Sequence, residues 1–476
     1  MNEVRMKTKV FACLVLLLAS GCMVGPDYHA PKPSMPSSWV GVGEKDQPSN
    51  ATGQSADLAL WWQQLKDPTL NSLIDEALKA NLSLAAAEAS LRQARAVRGV
   101  AAGGLWPSAT ATASYQRQSG APYDTGGGPR NLYQAGVDAA WELDFFGGVR
   151  RNVESASANV QAAVENLRDV QVSLVAEVAL DYVQLRGYQQ EIVTAVNNLK
   201  QQQHTADITR RLYKVGFNSG LDVANAESTV ATTEAQIPVF ETGARQSIYA
   251  LSVLLGRHPG DLLEQLSPTG DLPAIPGEIP AGLPSDLLRR RPDIRQTEAQ
   301  LHSATAQIGV ATAQLFPQFS LTGGVNWQST YFPTWFQSPS RSLFIGPGAT
   351  WPIFQGGAIV SNIHAQEALR DQAFITYQQA VLMALQDVEN ALIAFAKEQE
   401  HRKSLSDAVA ADHRAVDLSL RLYREGQTDF LNVLTAQRTQ YTDENALTQS
   451  TQNIAGDLIA LYKALGGGWD MAPAGE

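Results

Sequence analysis

Seven histidines, at positions 29, 204, 258, 302, 364, 401 and 413, are the natural metal ligands and general bases of this chain, and no two stand at a ligand spacing such as HxxxH. Two thiols, Cys13 and Cys22, are too few for a disulfide framework or a cysteine-based metal site. Neither a nucleophile elbow nor a phosphate-binding P-loop occurs, and the pairs Gly147–Gly148 and Gly356–Gly357 are too short a signal for a nucleotide cradle. Acidic residues outnumber basic ones, 47 to 36, giving a formal net charge of −11, which argues against nucleic acid as a partner. The equipment for acid–base, metal and nucleophilic catalysis is missing, so the chain reads as something other than an enzyme. The residue best placed for covalent chemistry is Cys22, at the end of "LASGC".

Arg5, Lys7 and Lys9 precede "VFACLVLLLA", an apolar run too short to span a bilayer, and small residues follow it. That is the pattern of a secretory signal removed on export, here residues 1–21. "LASGC" resembles the lipobox of bacterial lipoproteins. The resemblance implies that Cys22 becomes the first mature residue and carries covalent lipid such as palmitate, with no other cofactor. Ordinary cleavage that leaves Cys22 as a free thiol is the alternative. Each buried CH₂ of an acyl chain adds about 0.8 kcal/mol, and stable anchoring takes more than one chain.

No later stretch holds 18 consecutive apolar residues, so any passage through a membrane must be made by strands. Shifting the chain against itself by 210 residues reveals an internal two-fold repeat. "RLYKVG" (211–216) falls on "RLYREG" (421–426), Leu105 of "LWPS" on Leu315 of "LFPQ", Trp141 on Trp351, and Gly256 on Gly466. A period this long marks two copies of a domain-sized unit. The organisation is a signal (1–21), an N-terminal anchor segment (22–69), a first repeat (70–260), a Pro-rich linker (261–284), a second repeat (285–468) and a tail (469–476).

Residues 149–215 hold one glycine, Gly187, and no proline, and residues 358–425 hold neither. Both are rich in good helix formers. A helix of ~68 residues is about 100 Å long. Val172, Val175, Ala176, Ala179 and Val183, and likewise Val381, Leu385, Val388, Leu392 and Phe395, recur at the three-and-four spacing of a packed stripe. Ahead of each long helix the period drops to two, predicting strands at about 108–117, 131–145, 318–329 and 342–352. Tyr133, Ala135, Val137, Ala139, Trp141, Leu143 and Phe145 fall on one face, with Asp138, Glu142 and Asp144 opposite. A half-buried soluble sheet alternates too, but carboxylates opposite Val, Trp and Phe suit water on one side and lipid on the other. About ten residues is the length of a tilted crossing. An open sheet edge is not tolerated in lipid, and four strands cannot close a barrel, so sister copies must complete the wall. Two copies would give eight strands and three would give twelve; the residues alone leave that open.

"VGPDYHAP" after Cys22, "WWQQLKDPTLNSLIDEALKANLSL" from Trp61, "WELDFFGG" from Trp141, "LLRRRPDIRQTEAQLHSATAQIGVATAQLFP" from Leu287 and "LYREGQTDFLNVLTAQR" from Leu422 together resemble the TolC-like outer-membrane factors of tripartite efflux, in their lipoprotein, NodT/OprM-type branch. The resemblance covers nearly the whole mature chain. It implies an α+β fold: long antiparallel helices forming a periplasmic helical barrel, and four transmembrane strands per chain contributing to a shared twelve-stranded β-barrel in a homotrimer. It implies an equatorial belt from the N-terminal stretch, the linker and the C-terminal tail. It also implies an outer-membrane location, with a periplasmic adaptor protein and a proton-driven inner-membrane pump as partners. Two alternatives stay open: an exit duct for type I protein secretion, and a lipid-anchored periplasmic coiled-coil scaffold.

In that family the two helix-turn-helix tips meet the adaptor and hold the closed gate. Carried over, the adaptor-contact residues are Val215 and Gly216 in the first tip and Glu425 and Gly426 in the second. A ring of Asp222 is the main gate candidate, with Asp429 and Tyr423 secondary. Asp222 also suits an N-cap of the returning helix. The family often has Asp where this chain has Asn432 and Thr435, and some members have a basic residue at Thr428. The aromatic loop "YFPTWF" (331–336) either narrows the outer mouth or packs between subunits.

Overall fold

The computed structural model describes residues 23–40, 51–52, 58–118, 129–276, 279–280 and 284–470; Cys22, the expected lipid site, lies outside the described residues. In chain order the long elements are α1 (Pro68–Ala80), α2 (Leu82–Gly103), β1 (Ser108–Gln118), β2 (Arg130–Leu143), α3 (Gly148–Lys214), α4 (Gly220–Leu254), α5 (Pro292–Ala313), β3 (Gln318–Ser329), β4 (Arg341–Thr350), α6 (Ala358–Arg424) and α7 (Phe430–Ala464). The repeat is structural: α3 and α6 have 67 residues each, α4 and α7 have 35 each, and α2 and α5 have 22 each. The compact units, however, cut across it. One comprises residues up to Lys32, Ala89–Val164 and Gln296–Gln379; the other comprises Pro33–Glu88, Glu165–Arg295 and Ala380–Glu476. A 67-residue helix cannot be covered by a single neighbour, so its two ends join different clusters.

The first unit contains an antiparallel sheet in the order β1-β2-β3-β4. Its register aligns Tyr115 with Tyr133, Val137 with Val325, Trp141 with Leu321, and Val325 with Leu343. Directly opposed residues share a face, so one apolar face runs across all four strands. Asp138, Asn326 and Ser320 lie on the other face, where Asn326 Nδ2 donates to Asp138 Oδ1 at 3.3 Å. Phe344, paired with Gly324, is the aromatic exception on this polar side. Two strands end earlier than their alternation predicts, β2 at Leu143 and β4 at Thr350. Asp144 leaves the ladder because its carboxylate accepts the N–H groups of Val149 (3.2 Å) and Arg150 (2.9 Å) at the start of α3. Pro352 has no N–H to continue β4. The repeat extends to single bonds: Trp141 Nε1 donates to Leu105 O and Trp351 Nε1 to Leu315 O, both at 3.0 Å.

In the second unit the expected helical stripes are buried, with Val175 and Ala179 fully enclosed. Leu385 is the exception; it is half-buried, and Ala384 takes the enclosed position beside it. Trp61 and Trp62 are buried, Trp61 stacking on Tyr462 with centroids 5.0 Å apart. The linker is clasped onto α3: Gln189 Nε2 donates to Leu266 O, Arg186 Nη1 to Pro268 O and Gln190 Nε2 to Gly270 O. The guanidinium groups of Arg168 and Arg295 lie 4.4 and 5.4 Å from the ring centroid of Trp469. Asp67 caps α1 by accepting from Thr69 and Leu70 N–H, and its second oxygen takes the Tyr182 hydroxyl at 2.8 Å. Asp67→Ala removes cap and tether together and should cost about 2 kcal/mol, checked by thermal unfolding against Asp67→Asn, which keeps the cap.

Candidate functional site

The long helices α3 and α6 must each reverse into a returning helix within five residues, and both do so by the same device. Gly216 and Gly426 adopt left-handed backbone, with φ of +82° and +72°. Gly216 N–H donates to Tyr213 O and Phe217 N–H to Leu212 O at 3.0 and 2.9 Å; Gly426 and Gln427 donate to Tyr423 O and Leu422 O at 3.1 and 2.8 Å. These paired bonds are Schellman closures, which satisfy the last free carbonyls of each helix. A Cβ at either glycine would meet no atom within 4 Å, so these positions open onto free space.

The returning helices start differently. Ser219 is the N-cap of α4 and Asp222 its third residue, so Asp222 is the far member of a capping box rather than the cap itself. Its Oδ2 accepts from Ser219 N (3.1 Å) and Ser219 Oγ (2.9 Å). Asp429 occupies the N-cap position of α7 but makes no side-chain cap bond, and Asn432 Nδ2 donates instead to Thr428 Oγ1 at 2.7 Å. Thus Asn432 and Thr428 form their own local pair.

A buried cluster of Ala206, Ala226, Tyr423, Phe430, Val433 and Leu434 ties the two tips together. Tyr423 is 5% exposed, its ring centroid 5.5 Å from Phe430. Its hydroxyl donates to Thr209 Oγ1 at 3.4 Å and accepts from Asn218 Nδ2 of the first tip. One turn deeper, Gln437 Nε2 donates to buried Thr205 Oγ1 at 2.8 Å. The sequence-derived candidates therefore separate: Tyr423 is buried between the two tips, Asp222 is a capping carboxylate, and Asp429, Val215 and Glu425 are exposed. Sequence reasoning missed Phe217, Leu221 and Leu431, which are 80%, 69% and 66% exposed. The available signal was apolar residues flanking a turn that must face water.

The second unit also holds a charged cavity of about 490 Å³ lined by Asp169, Arg291, Asp293, Asp387, Asp457 and Lys463 among others. Arg291 bridges Asp293 (2.6 Å) and Asp387 (3.1 Å). Burial pushes the Asp457 carboxyl up to about 6, with the charge of Glu398 adding to the shift. A raised carboxylate favours the fold most when protonated. Its contribution is complete below the ordinary pKa near 4 and is lost as pH rises through 6. Asp457→Asn should raise the melting temperature at pH 7.5 and raise it much less at pH 4.5; an equal gain at both pH values would contradict this.

A two-faced antiparallel sheet leading through Gly and Pro junctions into 67-residue helices with locked tips defines a TolC-like outer-membrane channel subunit. The chain belongs to the outer membrane efflux protein family, which it matches twice, over residues 73–257 and 283–467. It is 33% identical over 469 residues to Nodulation protein T of Rhizobium leguminosarum bv. viciae, covering 97% of this chain and 94% of that protein. It is 32% identical over 472 residues to the antibiotic efflux pump outer membrane protein ArpC of Pseudomonas putida, covering 97% and 96%. Among solved structures, the outer-membrane channel OprN superposes with a TM-score of 0.88 at 37% identity, covering 94% of this chain and 100% of that one. The open state of the Neisseria gonorrhoeae MtrE outer membrane channel gives 0.78 at 29%, covering 94% and 99%. Membership places this chain in the outer membrane as an efflux channel component and not an enzyme.

Proposed function

We propose that three copies, each anchored by lipid on Cys22, pool their strands into one twelve-stranded barrel that continues into a periplasmic tunnel of helices. The assembly passively conducts drugs or other small molecules from a periplasmic adaptor and a proton-driven inner-membrane pump to the exterior, and it is gated at the helix tips. The observation that carries this reading is the sheet itself: an apolar face continuous over four strands, with the outer edges of β1 and β4 unpaired among the described residues. Lipid cannot satisfy those edges, and β1 of one copy can pair antiparallel with β4 of the next. Relatives named for antibiotic and toluene efflux favour small-molecule export over a protein-secretion duct.

Purified, processed protein in planar bilayers should conduct ions as a trimer-sized particle; a stable detergent-free monomer without conductance would refute the reading. Adaptor docking is tested separately at the tips. Gly216→Glu and Gly426→Glu place charge where open space exists, at a backbone cost of about 1–2 kcal/mol each from the positive φ. The double variant should assemble normally yet lose adaptor cross-linking and efflux, raising drug sensitivity to that of a deletion strain. Retained cross-linking and efflux would exclude docking at these turns.

A further inference from the structure

The loop between β3 and β4 carries Tyr331, Phe332, Trp335 and Phe336 and no charged residue, and Arg341, the first residue of β4, follows it. It is a built platform. Two short 3₁₀ turns, Phe332–Thr334 and Ser338–Ser340, each begin with proline near the first position. Ser329 Oγ and Thr334 Oγ1 bond at 2.7 Å, Ser340 Oγ donates to Thr334 O at 2.7 Å, and Trp335 Nε1 donates to Trp327 O at 3.4 Å.

The side on which it rests decides its role. Phe332 and Trp335 lie 5.5 and 5.6 Å from Tyr133, and Phe336 lies 6.0 Å from Trp327. Tyr133 and Trp327 belong to the apolar face, so the loop folds outward over that face and not across the polar one. Both also sit on β2 and β3, the middle strands, whereas the edges left for sister copies are β1 and β4. That placement disfavours both a mouth constriction and an intersubunit wedge. Tyr331, Phe332 and Phe336 nevertheless remain 72%, 64% and 65% exposed. Arg341 is opposite Trp327 in register and forms no ion pair among the described residues.

Height agrees. Tyr133 and Trp141 are separated by roughly 26 Å along one strand at ~3.3 Å per residue, or roughly 20 Å along the normal at a ~40° tilt. Rings seated beyond Tyr133 complete an apolar band of about 25 Å, with Trp141 and Trp351 forming its other margin. Amphipathic rings beside a guanidinium that has no ion pair among the described residues suit the boundary between acyl chains and phosphate-bearing headgroups.

We propose that this loop is a lipid-interface anchor: its exposed rings insert at the outer headgroup–acyl boundary while Arg341 meets lipid phosphate. The inference rests on the apolar sheet face being lipid-facing, and its test separates the two. Spin labels are placed on Phe336→Cys, on Val325→Cys as the lipid-face control and on Thr322→Cys as the polar-face control. The protein is reconstituted in phosphatidylethanolamine–phosphatidylglycerol vesicles, with the unsubstituted chain as blank. Collision rates with oxygen and with a water-soluble nickel chelate are compared. The expected oxygen-to-nickel ratio exceeds one at 325, lies lower but still above one at 336, and falls below one at 322. A ratio below one at 336 with 325 unchanged overturns the anchor alone, as does shielding of 336 from both reagents, which would signify a protein contact. A ratio below one at 325 overturns the lipid-facing sheet itself.

Discussion

Tyr423→Ala should open the closed channel. The ring lies within the cluster that joins the two tips of one chain, packed on Phe430, and its hydroxyl is held by Thr209 and Asn218. Truncation to alanine removes a buried aromatic and leaves a cavity, a change that typically costs about 3–5 kcal/mol. The loss falls on the contact between hairpins and not on the helices, whose ladders and Schellman closures are local. The tips should therefore part without unfolding. In bilayers the variant should show a several-fold rise in conductance, and cells should become sensitive to antibiotics too large for ordinary porins. Tyr423→Phe keeps the ring and removes only the hydroxyl bonds, worth about 1 kcal/mol, so its leak should be far smaller. An intact Tyr423→Ala trimer with wild-type conductance would show that the interlock plays no part in closure.

Arg151→Ala should release the N-terminal strap from the first unit. This guanidinium is 2% exposed and makes ion pairs with Asp27 at 2.7 Å and Glu154 at 2.8 Å, while its Nε donates to Val24 O at 3.2 Å. Its bonds to Asp27 and Glu154 hold it charged and outweigh the cost of burial. Gly309 makes room for it: a Cβ there would lie 2.7 Å from Arg151 Cγ. Removing one partner of a buried pair costs about 3–5 kcal/mol; with Asp27 77% exposed, the low end applies here. Limited proteolysis should cut residues 23–32 rapidly in Arg151→Ala and at an intermediate rate in Arg151→Lys, which retains charge but not the forked geometry. Gly309→Ala should behave like Arg151→Ala because it displaces the same side chain. Equal protection of the strap in all three would disprove the tether.

What the sequence disclosed follows from the range of each interaction. The long helices were legible because breakers are absent and Val175, Ala179 and Val388 recur at helical spacing. The strands were legible because Asp138 and Glu142 alternate with Val137 and Trp141. The tip turns were legible because a glycine after a helix-terminal "RLY" reports a local backbone need. Strand ends were misplaced by two residues because Asp144 serves the following helix, which alternation does not register. Leu385 is half-buried and Ala384 holds the enclosed place beside it, an offset of one position that the spacing does not distinguish. Tyr423 was named as a gate candidate, but its contacts were not legible: Asn218 and Thr209 stand more than 200 positions away in the chain. The compact units escaped notice for the same reason, since each draws segments from both repeats.

The central claim is that strand edges of one chain are completed by copies of itself. Lone cysteine pairs placed along β1 and β4 and oxidised in isolated outer membranes test it most directly. The account predicts covalent ladders that stop at three chains, for antiparallel β1–β4 registers only, with pairs placed on β2 and β3 giving none. Folded protein that yields monomer bands at every register, or a ladder ending at two, would contradict it.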